Sequence, residues 1–87
     1  MSYARFPVLQ TSRREILDAL ADRELTAFAD FDVDSLTAAT RAATPDRLSV
    51  VATRAGELVK KAMLEQSGGD WRHYLIQAAA ETFGYAD

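Results

Sequence analysis

The sequence has no cysteine and no asparagine, only two prolines and four glycines, and a single histidine. Without cysteine it can build no disulfide framework, thiolate zinc site, iron–sulfur cluster or cysteine nucleophile. Its longest apolar runs are three or four residues, far short of the ~20 needed to cross a bilayer. No cationic region followed by an apolar stretch opens the chain, so no secretory signal is read and the expected location is the cytoplasm.

Basic charge is also scarce. Ten Lys and Arg stand against thirteen Asp and Glu, for a net charge of −3. Residues 1–40 carry this whole deficit, and residues 41–87 are balanced. A nucleic-acid binder shows a basic excess somewhere, so nucleic acid is not the expected partner.

What remains is a small acidic chain of 87 residues, 48% apolar and 26% charged, which is an ordinary globular composition for one domain. Sixteen alanines lean it toward helix. A domain this small buries only about 60–65% of its unfolded surface. It therefore needs dense helix packing or a partner subunit.

Residues 1–11 read as an extended N-terminal arm, because Pro7 pushes Phe6 out of helical geometry. The arm carries Tyr3, Phe6, Val8 and Leu9, so it must pack on its own domain or on another. Residues 12–87 read as a single helical domain. A first helix is expected over 13–29, opened by a Ser12/Glu15 capping box. Leu17, Leu20, Ala21, Leu25 and Phe28 form its buried stripe. Residues 30–35 form an extended connector with Phe31 and Val33 facing inward. Asp34 or Ser35 then caps a short helix over 36–43.

Thr44-Pro45-Asp46 is a strong helix start, and the pattern predicts a helix over 45–66. Leu48, Val51, Ala55, Leu58 and Ala62 form one apolar stripe, and Ala52, Gly56, Val59 and Met63 the adjoining one. This width places the helix at the centre of the bundle. Glu57 and Lys61 are spaced to pair. Asp70 is expected to cap a last helix over 71–83, with Trp71, Leu75, Ala78, Ala79 and Phe83 inward. Gly84 stops it, and Tyr85 folds back on Ala80 as in a Schellman turn. The expected fold is all-α: a compact bundle of about four helices with an extended N-terminal arm.

Four local patterns bear on chemistry. Asp30, Asp32 and Asp34 match the first three ligand positions of a calcium loop, but Ser35 stands where its glycine should be and Arg41 where its final carboxylate should be. The three acids read as a solvated connector. Asp34-Ser35-Leu36 resembles the attachment motif of the acyl carrier proteins, which implies a phosphopantetheine arm on the serine. The likeness covers three residues. The chain departs from that family in its long first helix and in the Thr37–Arg41 segment, so the residues read as a helix cap and no cofactor is expected. Ala52 and Gly56 match the small positions of a helix-turn-helix, but no turn follows Gly56. As a DNA-binding regulator the chain would place Arg47, Arg54, Lys60 and Lys61 on one exposed face. His73 lacks an orienting acid with a nucleophile and a second imidazole for a metal, and reads as a surface residue.

No set of residues for catalysis or metal binding emerges. Of eight aromatics, Tyr3, Phe6, Phe83 and Tyr85 lie near the chain ends, and Trp71, Arg72 and Tyr74 cluster at the start of the last helix. Trp, Tyr and Arg are enriched at binding hot spots. The expected function is a non-enzymatic protein–protein interaction module that binds a larger protein. Tyr3, Phe6, Val8, Leu9, Trp71, Arg72 and Tyr74 are its candidate contacts, and a homodimer is a second arrangement.

Overall fold

Thirteen residues into the chain, a first helix begins on the cation that closes a later one. The computed structural model describes residues 13–66 and 69–85, and in them five helices follow one another: α1 Arg13–Ala21, α2 Arg23–Thr26, α3 Val33–Ala42, α4 Pro45–Leu64 and α5 Trp71–Phe83. The fold is all-α, with four helices longer than one or two turns. The arm at 1–11 and the Ser12 cap lie outside the described residues. No described helix is long and apolar enough to cross a membrane.

The first expected helix is two. Asp22 takes an extended ψ of 112°, and its side chain accepts from the N–H groups of Glu24 and Leu25, restarting the chain as the single-turn α2. The break rotates the buried face. Ile16, Ala19, Leu20 and Leu25 are buried, whereas Leu17 is half-buried and Ala21 and Phe28 are exposed. At the start of α1, the Arg13 guanidinium donates to the carbonyls of Thr40 and Ala43. It thereby places a cation on the last turn of α3, where the helix dipole favours one.

The cap of α3 is Asp32, not Asp34 or Ser35. Its carboxylate accepts from the N–H groups of Asp34 and Ser35 and from the Ser35 hydroxyl. Phe31 and Val33 are half-buried against the core, as their alternation with acids predicts. Thr40 is fully buried and satisfies its hydroxyl on the Leu36 carbonyl at 2.8 Å.

α4 starts where its cap residues place it, with the Thr44 hydroxyl accepting from Arg47 N–H and Pro45 in the first turn. Its inner face buries Leu48, Val51, Ala52, Ala55, Val59 and Ala62. Met63 is half-exposed, and Leu58 only half-buried. Glu57 takes Arg54 as its ion partner at 3.4 Å, in place of Lys61.

The centre of the bundle is α5, not α4. α5 packs against α1, α3 and α4, whereas α4 rests chiefly on α5. Leu75, Ile76, Ala78, Ala79 and Ala80 are all buried. These five positions wrap most of the helix, and the alanines let neighbouring backbones come close. α4 leaves its outer side to solvent, where Val50 and Leu64 are exposed. α5 ends on Gly84 in the left-handed region (φ 83°), and Tyr85 N–H donates to Ala80 O at 2.7 Å. This is the expected turn.

Candidate functional site

A cleft of about 290 Å³ opens between α5 and the segment that joins α2 to α3. Leu25, Ile76 and Ala80 form its buried floor. Phe28 and Tyr85 stand at its rim, 76% and 37% exposed. Asp30 and Phe31 complete one wall, and His73 and Gln77 the other.

The local chain explains each wall. After α2 the backbone closes tight turns, Phe28 N–H to Leu25 O and Ala29 N–H to Thr26 O, and these turn Phe28 outward. His73, Ile76, Gln77 and Ala80 fall at i, i+3, i+4 and i+7, which is one face of α5. Tyr85 is held over the cleft by its own N–H bond to Ala80 and by the left-handed Gly84. His73 is thus half-buried in a cleft wall, where the sequence suggested the surface. Its ring meets Tyr74 edge to face, with centroids 5.5 Å apart.

The electrostatics next to the cleft are ordered by one cation. Arg72 bonds Asp22 at 2.9 Å and Asp70 at 2.7 Å. Asp70 also caps α5 by accepting from Arg72 N–H. Hydrogen bonds from the Arg72 side chain and N–H hold the Asp70 carboxyl below its ordinary range. Asp32 is lowered too, first by the Ser35 hydroxyl and then by the N–H groups it caps.

The expected contact residues fall in two groups. Tyr3, Phe6, Val8 and Leu9 lie outside the described residues. Trp71 and Tyr74 are half-buried against the core, and Arg72 is engaged within the fold. These three share the first turn of α5 but do not line the cleft. Sequence reasoning missed Phe28, Ile76 and Tyr85 as site residues. The signal available was the second apolar face of α5, beginning at His73.

On α4, Arg47, Arg54 and Lys61 fall at i, i+7 and i+14 and so share one side of the helix, with Lys60 about 120° around from Arg54. Arg47 donates to Thr82 O at 3.1 Å, and Arg54 pairs with Glu81 at 2.9 Å, so both turn toward α5. α4 runs unbroken through Gly56 to Leu64. Ser35 at the carrier-like tripeptide donates to Asp32 at 2.7 Å and sits within the cap. Among the described residues, no three His, Asp or Glu side chains converge as metal ligands.

Compared with known proteins, the chain matches no family model, no curated protein and no solved structure.

Proposed function

We propose that the chain is a non-enzymatic protein–protein interaction module, a small cytoplasmic adaptor, regulatory subunit or inhibitor that binds a larger protein. The observation that carries this reading is Phe28. A phenylalanine 76% exposed at the rim of an apolar-floored cleft is a poor use of an aromatic in a lone small domain. It is a good anchor for a partner, because aromatic side chains at the centre of an interface carry much of the binding energy. Tyr85, with its hydroxyl available, suits the rim. Tyr3, Phe6, Val8 and Leu9, together with Trp71, Arg72 and Tyr74, are the proposed outer contacts.

The test is recovery of the tagged chain from its own host, with nuclease present, followed by mass spectrometry. A stoichiometric protein that survives nuclease, and is lost with Phe28→Ala, is expected. Recovery that depends on nucleic acid, or is indifferent to Phe28, contradicts the reading.

A further inference from the structure

The cleft has a chemical counterpart elsewhere on the same chain. From Glu24 to Thr40 there are four acids and no lysine or arginine. Asp30 lines the cleft, Asp32 follows Phe31, and Asp34 lies in the first turn of α3; all three are exposed. None belongs to the four ion pairs found among the described residues. On the opposite wall α5 supplies His73 and Gln77 but no fixed cation. The lock is an apolar floor with an aromatic rim and one acidic edge.

The end of α4 has the opposite character. Leu64 is 77% exposed and Met63 48% exposed. Lys60 and Lys61, also exposed, lie four and three residues before Leu64, so they flank it on one helix face. Neither lysine belongs to those four ion pairs. Glu65 follows Leu64, but at the cap, about 100° around the helix from it. A leucine projecting between two lysines is a key of the right chemistry for this lock.

We infer that the cleft is occupied by a second copy of this chain, whose Leu64 enters between Phe28 and Tyr85 while Lys60 and Lys61 meet Asp30 and its neighbouring acids. The contact is reciprocal in a two-fold dimer, each copy giving its α4 end to the other's cleft. Exposed large apolar side chains at both places are covered at once. The inference uses the cleft of the proposed interaction module and adds a regulation of it: a larger partner must displace the second copy, so self-association and partner capture compete.

The experiment is sedimentation equilibrium of the full chain at low salt, with Phe28→Glu and Leu64→Glu as variants. Both positions are mostly exposed, and circular dichroism checks that the helices persist. Dimer is expected for the parent chain. Each variant alone should weaken it at least about tenfold, the usual effect of removing a central anchor. Mixing the two variants should restore hetero-association, because one intact cleft then meets one intact α4 end. Raising salt should weaken the parent dimer, since exposed charges are screened. A parent chain that is monomeric throughout overturns the inference and leaves partner capture standing. Dimerisation that survives both substitutions, or that mixing fails to restore, overturns it as well.

Discussion

Asp22 and Arg72 stand 50 residues apart in the chain and meet at 2.9 Å. The two oxygens of Asp22 do separate work. Oδ1 caps α2, and Oδ2 takes the guanidinium of α5. One side chain therefore both ends α1 and ties the resulting corner to the central helix. That corner projects Phe28.

Asp22→Ala removes both functions and Asp22→Asn removes only the Arg72 contact, since asparagine caps as well as aspartate but turns an amide NH2, itself a donor, toward the guanidinium. Loss of the cap costs about 1 kcal/mol, and loss of a partly exposed pair adds between zero and about 1 kcal/mol. In a domain of this size that lowers Tm by about 4–8 °C per kcal/mol. Thermal melts should rank the parent above Asp22→Asn, and Asp22→Ala last. Equal melting of the two variants would show that the cap contributes nothing.

Acid stability should report on Asp70. Its carboxyl is held below its unfolded value of 3.8, chiefly by hydrogen bonds from Arg72. A depressed carboxyl contributes stability that is fully present above the unfolded value. That contribution is lost as pH falls through the lower folded value. The loss therefore lies below about pH 4. Asp70→Asn keeps the cap and removes the titration, so its Tm should fall less between pH 5 and pH 2 than the parent's. Parallel acid limbs in the two proteins would refute this assignment.

Most helix ends were legible in the sequence, because capping is local chemistry. Thr44-Pro45-Asp46, Asp70 and the Gly84–Tyr85 turn sit where their residue types placed them. The break at Asp22 was hidden, because Leu25 and Phe28 continue across it the helical spacing of the Leu17, Leu20 and Ala21 stripe. The α3 cap falls on Asp32 because Val33, though β-branched, packs on the core from the first helical position. The centrality of α5 was masked by alanine. Ala78, Ala79 and Ala80 are buried but carry little hydrophobic signal, so the leucine- and valine-rich α4 looked more central than it is. The cleft was missed for a related reason: Phe28 fitted a core stripe by spacing alone.

Gly84→Ala tests the rim of the cleft. An added Cβ meets nothing within 4 Å there, so the penalty comes from the backbone and not from crowding. Placing alanine at φ 83° should cost about 1 kcal/mol. The Tyr85 N–H bond to Ala80 should loosen with it. Amide hydrogen exchange at Tyr85 should rise while Leu75 and Ile76 stay protected. Unchanged exchange at Tyr85 would mean that Gly84 does not hold the rim.

Phe28 and Leu75 separate binding from folding. Leu75 is fully buried in the central helix, so Leu75→Ala should cost about 2–5 kcal/mol, much of what a small domain has. Phe28 is mostly exposed, and Phe28→Ala should change stability by no more than about 0.5 kcal/mol. Urea unfolding distinguishes the two directly. A large loss from Phe28→Ala would make that ring a structural element and remove the argument for a cleft built to be filled from outside. A near-silent Phe28→Ala, combined with lost recovery of a protein partner, would place the aromatic on the surface for binding.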